Sequence, residues 1–169
     1  CLKNNHSDKL LKTYQSERYS NVKEYIKTTA KMGEFINAVG TSNITGKVSS
    51  TPDGQKSMKS NKPKLGKGLG KVQDKNRGKI FPQFKIRNGK SLDDEFSLKP
   101  ILILSKEIKN NISGKLNSIQ SKNNKDLEKF FKSSNSKAII VRPDRFILSS
   151  CKSVKDFKSY LNKNLSILV

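Results

Sequence analysis

The chain has 169 residues, with 35 Lys or Arg against 14 Asp or Glu, which gives a net charge of +21. This length suits one ordinary domain with an appendage and argues against two full domains. The charge favours anionic partners, but Arg, which binds phosphate and guanine through paired hydrogen bonds, occupies only five positions. Dispersed Lys among Asn and Ile is typical of a coding bias. A Lys-rich nucleic-acid-binding protein is therefore kept as an alternative function, and no specific nucleic acid is expected.

Cysteine usage and hydropathy indicate the compartment. Cys1 and Cys151 are too few and too far apart for a disulfide framework, a redox pair or a zinc site. No apolar run approaches the ~18 residues of a membrane span, and no signal segment opens the chain. These features predict a cytoplasmic protein with no membrane partner. A mature lipoprotein also begins with Cys, so a lipid-anchored lipoprotein beginning at Cys1 is a further alternative, although the start of a fragment is favoured.

The first predicted element is a long amphipathic helix from Asp8 to Val39. Ser7 or Asp8 is expected to cap its start, and Gly40 is expected to end it. Its apolar residues recur at spacings of three and four, which places them in one stripe. A single helix cannot bury such a stripe by itself. The stripe therefore needs a partner.

Residues 41–78 are predicted to be a linker or an irregular loop. They are rich in Gly, Ser and Lys, include Pro52 and Pro63, and contain few large apolar residues. The sequence GKGLGK at 66–71 invites comparison with a phosphate-binding loop. Such a loop needs a preceding buried strand and a hydroxyl residue, whereas Val72 stands at the hydroxyl position. A flexible turn is the favoured interpretation.

From Lys79 onward the pattern predicts a compact α/β unit, 79–169. Residues 79–86 are strand-like, Ser91 is placed to cap a helical turn, and the apolar run 100–105 is typical of a strand buried on both faces. A helix, two further strands and a closing helix are predicted at 124–134, 137–141, 145–151 and 153–165. The order β, turn, β, α, β, β, α is that of a thioredoxin-like domain.

The tetrapeptide RPDR lies between the two last predicted strands and consists of Arg142, Pro143, Asp144 and Arg145. Pro fixes its own backbone angle and Asp can accept backbone N–H bonds, so this stretch suits a tight hairpin that joins Val141 to Phe146. No His, Cys or second carboxylate lies nearby in sequence to complete an acid–base or nucleophile pair. A structural role is therefore predicted, and no catalytic role.

Three segments of the chain, in order, are LLKTYQSERYSNVKEYIKTTAKMGEFI at 10–36, GKIFPQFKIRNGKSLDDEF at 78–96, which contains Pro82, and SKAIIVRPDRFIL at 136–148. They resemble segments of the class A FAD-dependent aromatic hydroxylases, most closely the 3-(3-hydroxyphenyl)propionate hydroxylase branch. The first resembles the helix after the last flavin motif of that family. The second resembles the start of the family's C-terminal domain, and the third resembles its Val-Arg-Pro-Asp hairpin.

The resemblance implies a parent enzyme that binds FAD, is reduced by NAD(P)H and hydroxylates a phenolic compound. Residues 1–40 would be the terminal helix of its FAD-binding domain, held there by a packing and ion-pair cluster of Tyr14, Glu17 and Arg18. The family's flavin motifs would precede Cys1 and do not occur here. The chain is therefore expected to bind no cofactor or metal, to contain no catalytic residue and to be inactive alone. Its partners would be the remaining flavin and substrate domains, and a homo-oligomer stays open.

Overall fold

The computed structural model describes residues 8–45, 62–68, 73–86, 89–96, 99–108, 116–122, 124–153 and 155–161. The predictions made for Cys1 and Ser7 lie outside these residues. The chain divides into two compact units, Cys1–Gly68 and Leu69–Val169. Residues 62–68 and 73–78, which the sequence assigns to the linker, therefore belong to different units.

The first unit contains helix α1, Asp8–Thr45, which is 38 residues long. The predicted long helix is confirmed, but the prediction that Gly40 ends it is wrong. A Gly inside a helix costs only about 1 kcal/mol relative to Ala. The helical turns on either side of Gly40 outweigh that cost, and no neighbouring group lies near the position of a Cβ atom at this residue.

Residues 62–68 lie along one side of α1. The Gly66 amide donates to the Glu17 carbonyl oxygen at 2.8 Å, and the Asn21 side-chain amide donates to the Pro63 carbonyl oxygen at 2.8 Å. Glu17 and Asn21 are buried as a result, at 8% and 3% exposure. The side of α1 that this segment covers is thus polar.

The second unit is a four-stranded mixed sheet with helices on both faces. The strand order is β2-β1-β3-β4, with β1 parallel to β2, β3 antiparallel to β1, and β4 antiparallel to β3. Its elements are α2 (Leu92–Phe96), β1 (Ile101–Leu104), β2 (Asn117–Gln120), α3 (Lys125–Ser134), β3 (Ala138–Val141) and β4 (Ile147–Cys151). Residues 155–161 form a further helix, α4. The predicted α/β class is confirmed by this arrangement.

The core lies on both faces of the sheet. Ile103 and Ile139 pack with α3 residues on one face, where Leu127 and Phe131 are buried. Alternate strand residues pack on the other face with Phe157 and Leu161 of α4. Because both faces are covered, β1 and β3 consist of apolar residues only. The prediction of buried strands at these two positions is confirmed.

Two details of the predicted sheet are wrong. Residues 79–86 are not a continuous strand. Lys79 and Phe81 form backbone hydrogen bonds with Ile147 and Arg145, around a single bridge from Ile80 to Phe146, and a second isolated bridge joins Lys85 to Ser91. Pro82 has no N–H to donate, so a regular ladder cannot continue through this segment. The strand parallel to β1 is β2, which lies between Ser105 and Lys125, where the sequence predicted no strand.

Candidate functional site

The RPDR segment forms the turn of the β3–β4 hairpin. The Arg142 amide donates to the Phe146 carbonyl oxygen, and the Arg145 amide donates to the Arg142 carbonyl oxygen, both at 2.9 Å. The Asp144 carboxylate accepts from the Arg142 guanidinium at 3.0 Å and from the Phe146 amide at 3.4 Å. Arg145 adopts a left-handed backbone with φ of 64°, which completes a three-residue hairpin loop.

The side chain of Arg145 ties the hairpin to neighbouring segments. Its guanidinium donates to the Phe81 carbonyl oxygen at 3.1 Å and lies 3.7 Å from the Asp93 carboxylate. Gln83 donates to the same carboxylate at 2.9 Å. Pro82 lies between Phe81 and Gln83 and is exposed. The second and third segments of family resemblance are therefore joined through Arg145.

Three aromatic rings pack beside this connection. The centroid of Phe81 lies 5.4 Å from that of Phe84 and 5.0 Å from that of Phe130, and all three pairs are edge-on. Phe81 is fully buried. Such edge-on pairs stabilise the packing by about 0.5–1.5 kcal/mol each beyond their buried area. Phe81 and Phe84, which lie on either side of Pro82, are therefore both part of this aromatic packing.

The three residues predicted as a cluster on α1 have different surroundings. Glu17 is buried, whereas Tyr14 is 66% exposed. Residues 66–68, the described part of the GKGLGK segment, contact the same part of the helix, since a Cβ atom on Gly66 or Gly68 would collide with Ser16 or Glu17. These two glycines allow close packing on α1. Leu69, Gly70 and Lys71 lie outside the described residues.

The second unit contains a polar cleft of about 470 Å³ beside the edge of β4 and the last turn of α3. Its central network consists of Asp74, Asn76 and Ser150. The Asp74 carboxylate accepts hydrogen bonds from the backbone N–H of Ser150, from the Ser150 hydroxyl at 2.7 Å and from the backbone N–H of Asn76 at 2.9 Å. The Asn76 side chain donates to the Ser134 carbonyl oxygen at 2.9 Å and accepts from the Lys79 ammonium at 3.0 Å.

Asp74, Asn76 and Ser150 each form hydrogen bonds with other residues of the second unit. These bonds favour a structural role for the three side chains over a role in proton transfer. Burial, aided by Cys151 and Asp74 and opposed by Arg77, raises the pKa of Tyr160 to about 12. A phenol with this pKa stays protonated at neutral pH, so it is a poor general base there. Cys151 is buried. The hydrogen bonds of this network therefore hold residues 73–79 against α3 and β4.

The pairing of Ser150 with Asn76 and Asp74 was not predicted from the sequence, because it spans 74 and 76 positions of the chain. One local signal was present. Asp74 and Asn76 are two residues apart, and the Asp side chain accepts from the Asn amide, which is the geometry of an Asx turn. Such a turn indicates a fixed local conformation but does not identify the strand that it joins.

Within the described ranges, no three His, Cys, Asp or Glu side chains come together as a metal ion would require. Among the helices of the same ranges, none combines the length and the apolarity that a membrane crossing needs. Comparisons with protein-family models, with curated proteins and with solved structures found no match to this chain.

Proposed function

We propose that the chain is the C-terminal, structural part of an FAD-dependent, NAD(P)H-using monooxygenase that hydroxylates a phenolic compound in the cytoplasm. The observation that carries the proposal is the connection through Arg145. Two segments that resemble the hydroxylases, 78–96 and 136–148, are far apart in the sequence, yet Arg145 of one bonds Phe81 and Asp93 of the other. Two segments that define one domain in that family are expected to contact each other in this way.

The architecture of the second unit supports a thioredoxin-like C-terminal domain. Two parallel strands, a helix, an antiparallel hairpin and a closing helix follow one another as β1, β2, α3, β3, β4 and α4. Helices cover both faces of the sheet. The chain has no C-x-x-C pair, so the proposed domain has a packing role and no thiol–disulfide activity.

A structural role also agrees with how the polar side chains are used. Asp93 forms an ion pair and Asp74 accepts hydrogen bonds that connect one segment of the second unit to another, and Asp144 accepts hydrogen bonds within the hairpin turn. A flavin enzyme needs a site that holds the cofactor against the substrate and excludes water. In this proposal the upstream part of the parent protein supplies that site, FAD and NAD(P)H.

The coding sequence upstream of Cys1 tests the proposal. We expect it to contain a strand–Gly-x-Gly-x-x-Gly–helix segment, because this loop carries the FAD pyrophosphate in such enzymes. A coding sequence that consists of a signal peptide ending at Cys1 would contradict the proposal and favour the lipoprotein alternative.

A further inference from the structure

One side of α1 carries a row of exposed Lys side chains. Lys12, Lys23, Lys27 and Lys31 lie within about 100° of the helix circumference, because an α-helix has about 3.6 residues per turn. Between Lys12 and Lys31 this arc contains no Asp or Glu. Glu24 lies beside the arc and pairs with Lys27 at 3.4 Å. With a rise of about 1.5 Å per residue, the row extends over about 30 Å.

The widest gap in this row is occupied by residues 62–68. In that gap the same arc of the helix carries Ser16 and Ser20. The Ser16 hydroxyl donates to the Lys67 carbonyl oxygen at 2.8 Å, and the position of a Cβ atom on Gly66 lies 2.7 Å from the Ser20 hydroxyl. The small side chains at these two helix positions therefore let the segment lie directly on the row.

The segment adds positive charge where the helix row lacks it. Pro63 and Leu65 are buried, whereas Lys62, Lys64 and Lys67 are exposed. The two apolar residues anchor the segment, and the three ammonium groups reach solvent. Helix and segment together form one positive surface within the first unit. We call this surface the basic stripe, and its members are Lys12, Lys23, Lys27, Lys31, Lys62, Lys64 and Lys67.

The length of the basic stripe fits a linear polyanion. Duplex DNA carries one negative charge per about 1.7 Å of its axis, so a length of about 30 Å presents on the order of 18 phosphates. The Lys ammonium groups are compact point charges, which contact phosphates without reading base edges. The partner that fits the stripe is therefore the phosphate backbone of a nucleic acid, bound independently of its sequence.

An anionic membrane fits the stripe less well. A helix that lies on a membrane buries its apolar side, and its Lys side chains reach the headgroups from the flanks of that side. On α1 the exposed apolar residues Tyr25, Met32 and Ile36 are centred roughly 180° around the helix from the Lys row. One flat lipid surface therefore cannot contact both.

We propose that the basic stripe binds the phosphate backbone of nucleic acid. The inference goes beyond the proposed function and does not rest on it, because the stripe lies within the first unit and needs no flavin. Each Lys that contacts a phosphate releases a counterion, so the affinity falls steeply as salt rises. The affinity depends on the stripe, and not on the net charge of +21 as a whole.

Fluorescence anisotropy of the 169-residue chain with a labelled DNA duplex, over a range of salt concentrations, tests the proposal. A stripe variant combines Lys12→Gln, Lys23→Gln and Lys67→Gln, which change exposed side chains, and Gln has nearly the helix propensity of Lys. We expect binding at least roughly tenfold weaker at about 50 mM salt, and a salt slope smaller by roughly 2–3, because three phosphate contacts are lost.

The matched control combines Lys125→Gln, Lys129→Gln and Lys158→Gln. These residues are exposed and lie on helices of the second unit, so the control loses the same charge outside the stripe. We expect its affinity to change by less than about threefold and its salt slope to stay the same. Circular dichroism checks that both variants are folded. If the stripe variant loses helix content, Lys23→Gln alone is compared with Lys129→Gln.

Equal weakening by the stripe variant and the control would overturn the proposal, because the affinity would then follow total charge. Absence of binding at about 50 mM salt would also overturn it. Unlabelled duplex, polyglutamate and anionic lipid vesicles are then compared as competitors. We expect unlabelled duplexes of different sequence to compete equally well. Stronger competition by polyglutamate or by the vesicles would contradict the proposal and assign the stripe to an acidic protein or to a membrane.

Discussion

Asn76 is the residue that connects most parts of the polar cleft. It is buried, and its side chain bonds Ser134, Ser150 and Lys79. Asn76→Ala leaves the Ser134 carbonyl oxygen and the Ser150 hydroxyl with fewer partners in a partly buried site, so we expect unfolding of the second unit to require about 1–3 kcal/mol less free energy. Urea unfolding followed by circular dichroism measures the change.

The matched control is Gln73→Ala, because Gln73 lines the same cleft but is exposed. We expect its effect on the unfolding free energy to stay within about 0.5 kcal/mol. Equal losses in the two variants would show that the cleft does not depend on the Asn76 hydrogen bonds.

Tyr160 makes folding sensitive to alkaline pH. Its pKa rises from the ordinary value of 10.0 to about 12 in the folded chain. Below pH 10 both states keep the phenol proton. Between pH 10 and 12 the unfolded chain releases it while the folded chain keeps it, so folding stability falls as the pH rises through this window. Urea unfolding at several pH values measures the decline.

Tyr160→Phe removes this ionisation while keeping the ring against the core. Lys side chains also titrate in alkali, so the difference between wild type and variant is the informative quantity. We expect a shallower decline in the variant and loss of the latest phase of tyrosinate absorbance. Identical pH profiles for the two proteins would contradict the burial of the phenol.

At the scale of elements, the contact between α1 and residues 62–68 depends on a glycine. A Cβ atom at Gly66 would meet the Ser16 carbonyl oxygen, which is backbone, and would lie 2.7 Å from the Ser20 hydroxyl. We expect Gly66→Ala to release the segment from the helix, and hydrogen exchange at the Gly66-Lys67 amides to increase at least roughly tenfold.

Gly40→Ala is the matched control. Gly40 lies inside α1, and no group lies near its Cβ position. This substitution should stabilise the helix by up to about 1 kcal/mol and leave the contact at Gly66 unchanged. Unchanged exchange in Gly66→Ala would show that the segment tolerates the added methyl group.

Some elements of the second unit follow from the sequence because their burial has a local signature. β1 and β3 are continuous apolar runs, and α3 places Leu127 and Phe131 at helical spacing and buries both. β2 has no such signature, since Ile119 is its only large apolar residue and none of its residues is fully buried. Its strand conformation comes from pairing with β1, which is a tertiary effect.

The candidate site was predictable only where it is local. The RPDR turn follows from the properties of Pro143 and Asp144, both of which lie in the hairpin loop. The contacts of Arg145 with Phe81 and Asp93 cross 64 and 52 positions of sequence. No periodicity or turn rule specifies such distant pairs, so the connection became visible only in the folded unit.

At the scale of the whole molecule, the net charge of +21 says less about nucleic-acid binding than the contacts of the Arg side chains do. Arg142 is paired with Asp144, and Arg145 lies beside Asp93. These two guanidinium groups form ion pairs within the folded unit, whereas sequence-specific nucleic-acid binding would need Arg side chains that are available to bond base edges. The excess Lys would support weak, salt-sensitive association with polyanions.

We propose that this chain is the structural C-terminal part of a flavin hydroxylase, and flavin content tests the proposal most directly. The full-length gene product and the 169-residue chain are each incubated with FAD, passed through gel filtration and examined by visible absorption. We expect a yellow full-length protein that oxidises NAD(P)H when a phenol is added, and a colourless short chain. A full-length protein without flavin, or a short chain that retains stoichiometric FAD, would contradict it.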